Sequence, residues 1–340
     1  MSDNLLELTD LKMHFPITEG VMLRQTGAVK AVDGVSLFIR PGETLGLVGE
    51  SGCGKSTLGK CAVRLNEPTA GKIVFDGKDI THANARTLRS IRQDMQMIFQ
   101  DPAESLDPRL SVRAIIEEAY SIHKIGSREE RNKWIAELLD QVGLPKTAIE
   151  KFSFEFSGGQ RQRIGIARAI ALKPELVIAD EPVSALDVSV QSQVLNLMMD
   201  LQRDMGLAYL FIAHDLAVVK HISDRVAVMY LGKIVEIADA DAIYKNPKHA
   251  YTKALLSAIP EPDPSVKNDR VTLKGEIPSP INPPKGSAFG HRIEHPNYES
   301  TIGMDLSLVE IEKDHWVAAD PCCLSDKDYA KTQSLKTSGV

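Results

Sequence analysis

Cysteine is scarce in this chain: Cys53, Cys61, Cys322 and Cys323 are the only four in 340 residues, and none forms a C-x-x-C pair. That excludes a disulfide framework and suits a reducing compartment. Long apolar runs are missing too. Stretches such as 176–179 and 208–213 fall far short of the roughly 20 residues a membrane-crossing helix needs. Nor is there an excess of positive charge. Forty Lys+Arg against 46 Asp+Glu leave a net charge of −6, which removes any overall electrostatic reason to bind nucleic acid or an anionic membrane surface. Residues 1–10 carry Asp3 and Glu7 where a secretory signal would be basic and then apolar, so a cytoplasmic protein is expected. Sustained heptads and a repeat of solenoid period are also lacking. What remains is ordinary globular composition, 43% hydrophobic and 25% charged, with length for about two domains.

Residues 43–48 form a short apolar run ending at a glycine-rich loop, and 56–64 can follow as a helix. Asp76-Gly77 between 72–75 and 78–80 predicts a type I′ hairpin, because both turn residues tolerate positive φ. Leu231-Gly232 predicts a second hairpin joining 225–230 to 233–237. Helical spacing covers 112–120 and 128–142, with Trp134, Leu138, Leu139 and Val142 as a core stripe. Residues 175–179 and 207–213 read as buried parallel strands flanking a helix over 188–204. The result is an α/β nucleotide-binding core carrying a helical insertion over about 101–172. After Ile259 the composition changes: eight of the 18 prolines lie between Pro260 and Pro296, which rules out long helices there and marks a separate appendage.

The segment Gly49-Glu50-Ser51-Gly52-Cys53-Gly54-Lys55-Ser56 matches G-x-x-x-x-G-K-[ST] between an expected strand and an expected helix. Its glycines let successive N–H groups turn toward phosphate oxygens, and the helix N-terminus adds its positive dipole end. Lys55 would supply charge to the β- and γ-phosphates, and the Ser56 hydroxyl would ligate Mg²⁺. Cys53 reads as a small loop filler. Further on, Leu176-Val177-Ile178-Ala179 runs into Asp180-Glu181, carrying two carboxylates to the C-terminal end of a strand. Asp180 would hold Mg²⁺, and Glu181 would orient and polarise the attacking water.

Phe156-Ser157-Gly158-Gly159-Gln160 precedes a helix-forming run with Ile164, Ala167 and Ala171 as its apolar stripe. With this motif the chain resembles the ATP-binding cassette (ABC) family, whose signature is more often LSGGQ. Gln100 resembles the family's Q-loop glutamine, Ser184-Ala185-Leu186-Asp187 its D-loop and His214 its switch histidine. Phe15 sits where the family stacks an aromatic ring on adenine. The resemblance covers residues 5–250 and implies an α/β P-loop NTPase core with an antiparallel β subdomain, a helical subdomain and a proline-rich C-terminal extension, divided 1–258 and 259–340. It implies ATP and Mg²⁺ as ligands. Catalysis would fall to Glu181, His214 and Gln100. Nucleotide contacts would come from Phe15, Gly49, Ser51, Gly52, Gly54, Lys55, Ser56, Thr57, Ser157, Gly158, Gly159, Gln160 and Asp187, and metal contacts from Ser56, Gln100 and Asp180. Two such subunits would bind head to tail, so that Ser157 and Gly159 act on the partner's nucleotide.

The stretches 49–57, 101–108, 160–169, 246–260 and 275–284 resemble the peptide/nickel importer ATPases, especially the dipeptide and oligopeptide second-ATPase type. That implies a paralogous ATPase partner, two transmembrane permeases, an extracytoplasmic solute-binding protein and a peripheral place on the cytoplasmic face of the inner membrane, with no nucleic-acid partner. A non-transport ABC ATPase of DNA repair or translation is the competing class, disfavoured by the single cassette, the missing heptads and the negative charge. In several relatives the tail holds an iron–sulfur cluster on four cysteines; here the aligned positions are Ser287, Ile293, Ser300 and Ala319, so no cluster is expected. His291-Arg292-Ile293-Glu294-His295 matches the H-x-x-E-H zinc pattern, but Pro296 follows at once and a solvated loop is expected instead.

Overall fold

Leu45, Gly46, Leu47 and Val48 give a strand, Thr44–Val48, that is buried along its whole length. It runs parallel to Arg225–Tyr230, with Leu45 opposite Arg225 and Val48 opposite Val228, which delivers the glycine-rich loop to the C-terminal end of a parallel pair. The computed structural model describes residues 4–20, 24–259 and 276–338. Its contacts divide into two compact units.

One unit comprises Leu6–Phe38, Thr44–His82 and Ala213–Val340. An antiparallel sheet takes the strand order Arg24–Ile39, Leu6–Glu19, Ala70–Phe75, Lys78–Asp79. The expected first hairpin closes its edge through Asp76 and Gly77, both at positive φ (46° and 70°). The second expected hairpin is present as well, turning at Leu231 (φ 45°) and Gly232 (φ 77°) to join Arg225–Tyr230 to Lys233–Asp239. The C-terminal extension continues from that hairpin: His315–Ala318 pairs antiparallel with Lys233–Asp239, and Leu308–Glu312 pairs with His315–Ala318.

Side chains hold this added ladder in place. The guanidinium of the fully buried Arg225 lies 4.3 Å from the ring centre of Phe38 and 5.5 Å from that of Trp316. The two rings meet edge to face at 5.8 Å, so the guanidinium lies beside an aromatic pair that joins the core to the added strand, where loss of water strengthens the cation–π attraction. Glu236, fully buried, accepts the N–H groups of Lys248 and His249 and meets the His315 ring at 2.8 Å. Residues 260–275, the first part of the proline-rich stretch, lie outside the described residues.

The other unit contains Ile39–Glu43 and Ala83–Ile212. Leu176–Asp180 lies between Met95–Ile98 and Ala208–Ile212, parallel to both, and is buried throughout. The helix between the last two strands spans Val188–Met205 and ends on Gly206 in the left-handed conformation. The insertion is helical as expected: Val112–His123, Arg128–Gln141 and Gly158–Ile170. In Arg128–Gln141 the buried face is Ile135, Leu138 and Leu139, continued by Val142. Trp134 is only half-buried and tilts against Tyr120 at 5.3 Å, so the stripe is turned by one position from that expected. Among the described residues, no helix is long and apolar enough to cross a membrane.

Candidate functional site

The phosphate loop leads from Val48 into the helix Lys55–Ala62, whose first residue is preceded by Gly54 at φ 109°. A Cβ at Gly54 would lie 2.0 Å from the Ala31 carbonyl oxygen, and one at Gly49 would lie 2.1 Å from that of Met229. Close backbone approach therefore demands glycine at both positions. Gly54 brings no side chain to cap the helix, which leaves first-turn N–H groups for a ligand. Lys55 is buried, its ammonium donating to the carbonyls of Gly49 (2.8 Å) and Glu50 (3.1 Å). The Cys53 sulfur lies 3.9 Å from the same ammonium, so Lys55 is held by two carbonyl oxygens and a weak sulfur acceptor, with no carboxylate among these three partners. Burial pushes the Cys53 thiol up against the opposing pull of Lys55, so it stays a neutral filler of the loop. Ser56 and Thr57 follow on the helix, both partly exposed, while Ser51 and Gly52 are exposed on the loop. Phe15, on Leu6–Glu19, keeps over a third of its surface exposed, as an aromatic available for stacking would. His214 is exposed one residue before Asp215, which caps Leu216–Ile222 by accepting the Ala217 N–H.

In the other unit, Asp180 ends the buried strand and is itself buried. Glu181 comes next at φ 46°, a left-handed conformation that costs a glutamate about 1 kcal/mol. Its N–H donates to the Ile212 carbonyl and its own carbonyl accepts from the N–H and hydroxyl of Ser184, so the backbone is held from both sides. This turn brings the Glu181 carboxylate to the Gln100 side-chain amide at 3.0 Å. Two residues 81 positions apart, each expected in the hydrolytic site, thus meet. Ser157 opens Gly158–Ile170 in a reciprocal cap: its hydroxyl accepts the Gln160 N–H, and the Gln160 side chain accepts the Ser157 N–H. Gly158 lies exposed beside them. Gly159 lies so near Val190 that a Cβ would approach its Cγ1 to 2.4 Å. Asp187 caps Val188–Met205, and the Val190 N–H and Ser189 hydroxyl hold its carboxyl below the ordinary range.

The donor sets fit the ligands expected of them. A hydroxyl at Ser56 and a carboxylate at Asp180 are hard oxygen donors suited to Mg²⁺. In the tail, Ser287 is buried and donates to Asp320, and its oxygen lies 3.6 Å from the Cys323 sulfur. Donor atoms of His249, Asp320 and Cys323 gather within 4.8 Å of one another. Burial raises the Cys323 thiol well above its usual range, and Asp320 is already bonded to Ser287 and to the Cys322 N–H, so this cluster is satisfied by its own hydrogen bonds. The H-x-x-E-H segment differs from the solvated loop expected: His291 and Arg292 close the short helix Ala288–Arg292, which stops before His295, and the Arg292 side chain is largely withdrawn from water by its pair with Glu50.

Sequence reasoning missed one contact. Arg292 donates through both terminal nitrogens to the Glu50 carboxylate (2.6 and 3.1 Å), across 242 positions of chain, and no local pattern announces it.

A glycine-rich phosphate loop, a buried strand ending in paired acids and a capped SGGQ helix together define an ABC ATPase. Matching follows the same lines: a family profile described as "ABC transporter" covers residues 32–184, and one described as "Oligopeptide/dipeptide transporter, C-terminal region" covers 235–295. Among curated relatives, the oligopeptide transport ATP-binding protein AppF of Bacillus subtilis (strain 168) is 56% identical over 85% of this chain and 89% of its own. The putative oligopeptide transport ATP-binding protein YkfD of the same organism is 53% identical over 92% and 94%. Of solved structures, a dimeric ATP-binding cassette in a post-hydrolysis state bound to ADP and Pi superposes with a TM-score of 0.62 at 27% identity, covering 69% of this chain and 98% of that one. The chain belongs to the ATP-binding subunits of the peptide ABC importers. It is an ATPase subunit, and its family works with separate membrane-spanning chains.

Proposed function

We propose that this chain converts MgATP and water to ADP and phosphate at the cytoplasmic face of the inner membrane, driving uptake of peptides. Its partners in that reading are a paralogous ATPase subunit in a heterodimer, two permeases and an extracytoplasmic solute-binding protein. The contact that carries the proposal is the Gln100–Glu181 hydrogen bond at the end of Leu176–Asp180, which sets a polar side chain and a carboxylate side by side beyond a buried strand. In this reading Gly49, Ser51, Gly52, Gly54 and Thr57 cradle the phosphates and Lys55 neutralises them. Ser56, Asp180 and Gln100 hold Mg²⁺, which when bound would offset charge on the β- and γ-phosphate oxygens. Glu181 polarises the attacking water, and His214 supports the developing charge. Phe15 stacks on adenine. Ser157, Gly158, Gly159, Gln160 and Asp187 serve the nucleotide of the partner subunit. For the tail the proposal includes no iron–sulfur cluster, since serine, isoleucine and alanine at the aligned positions supply no thiolate.

The names of AppF and YkfD support oligopeptide as cargo. The test is reconstitution of the chain with the products of neighbouring genes in liposomes. ATP-dependent accumulation of a labelled oligopeptide is expected, and uptake of nickel or an opine with peptides ignored would overturn the cargo assignment.

A further inference from the structure

The phosphate loop contains a residue of the wrong sign for its task. Glu50 directly follows Gly49, and a carboxylate there opposes the approach of a polyphosphate. The C-terminal extension answers it. Arg292, at the end of Ala288–Arg292, clamps the Glu50 carboxylate with two bonds, and its side chain is only 7% exposed against 24% for Glu50. Phe289 of the same short helix packs edge-on against Tyr230 (5.6 Å) and Tyr251 (5.3 Å), fixing where the guanidinium sits. The Tyr251 hydroxyl in turn accepts the Glu50 N–H at 2.9 Å. Glu50 is therefore held through its backbone by one anchor and through its charge by another, while its carbonyl accepts from Lys55.

Resting on the reading of residues 49–57 as the ATP phosphate loop, we propose that Arg292 is a positioning residue for ATP binding. By pairing with Glu50 it cancels the loop's own negative charge and holds the carboxylate aside. Arginine suits this, being charged at every working pH and matching a carboxylate in two parallel bonds. Because the pair is largely withdrawn from water, salt screens it little. A packing staple alone would leave the sign of Glu50 irrelevant, and the two cases separate on that point.

The experiment is isothermal titration of the full-length chain with ATP, ADP and AMP. The proteins are the unaltered chain, Arg292→Ala, Arg292→Lys, Glu50→Gln and the double variant Arg292→Ala with Glu50→Gln. Arg292→Ala is expected to weaken ATP binding about tenfold, ADP less and AMP least, since the loss follows ligand charge. Arg292→Lys should fall between. Removing the offending carboxylate should restore the double variant to within about twofold of the unaltered chain. Glu50→Gln alone should bind ATP at least as tightly as the unaltered chain, which keeps the proposal open to test should Arg292→Ala not fold. Unchanged ATP affinity in Arg292→Ala overturns the proposal, as does an equal loss for all three nucleotides without recovery in the double variant. Weaker ATP binding by Glu50→Gln does so too. If the unaltered chain binds no ATP, the loop assignment itself falls, and the proposal with it.

Discussion

Glu181 occupies backbone that a glutamate adopts at a cost, and the hydrogen bonds to Ile212 and Ser184 are what keep it there. A carboxylate held this way meets Gln100 without moving its own main chain. Glu181→Gln should therefore keep the turn and nucleotide binding while removing the group that polarises water. ATP turnover by the assembled transporter is expected to drop by at least about a hundredfold, with ATP affinity within a few-fold of the unaltered chain. Lys55→Ala reverses the pattern. It removes charge from the phosphates before and during the reaction, so binding itself should weaken, which equilibrium titration with ATP reads directly. Full turnover in Glu181→Gln would overturn its assignment. The order of the loop residues and of Asp180-Glu181 was legible because each motif is continuous in the chain. The left-handed φ of Glu181 and the Glu50–Arg292 pair were not, since the first depends in part on the Ile212 carbonyl of a neighbouring strand and the second on a partner 242 positions away.

Among the elements, local chemistry told most. Asp76-Gly77 and Leu231-Gly232 announced their hairpins, whereas the reciprocal cap of Ser157 and Gln160 starts its helix at Gly158, inside the motif that was read as preceding it. The strand His315–Ala318 escaped notice because its place is set by pairing with Lys233–Asp239, about 80 residues away, rather than by any turn of its own. Glu236 is the pin of that pairing. Burial pushes its carboxyl up, but the bonds from the His315 ring and from the N–H groups of Lys248 and His249 pull it further down, to a net value below the ordinary range. A folded-state pKa below the unfolded one means that Glu236 contributes stability above the ordinary glutamate value of about 4.3, and that this contribution is lost as pH falls through the folded value. Urea melts from pH 7 to pH 3 should show the loss. Glu236→Gln, which leaves a buried donor without its acceptor, is expected to cost about 1–3 kcal/mol at pH 7 and to flatten the acid limb. An acid limb of unchanged steepness in that variant would remove Glu236 from this role.

For the whole molecule, the two compact units divide the expected site: Lys55, Phe15 and His214 fall in one, and Gln100, Ser157, Glu181 and Asp187 in the other. If Ser157 serves the partner's nucleotide, lesions can be sorted by subunit. In the assembled heterodimer, Ser157→Ala in this chain combined with alanine at the paralogue's phosphate-loop lysine places both lesions in one composite site and should keep about half of the ATPase activity, whereas Ser157→Ala and Lys55→Ala together in this chain spoil both sites. Equal loss in the two arrangements would count against action across the interface. The cap at Ser157 bears on what such a site can demand of its serine. The hydroxyl oxygen receives the Gln160 N–H, which leaves the hydroxyl proton uncommitted to that bond. One atom thus closes the helix while the other remains to be given away, so the same side chain serves architecture and ligand without rivalry. Threonine could inherit both duties. Asparagine or aspartate could inherit only the first through the same oxygen, and a helix of undiminished stability would then stand in front of a nucleotide that it no longer greets with a hydroxyl.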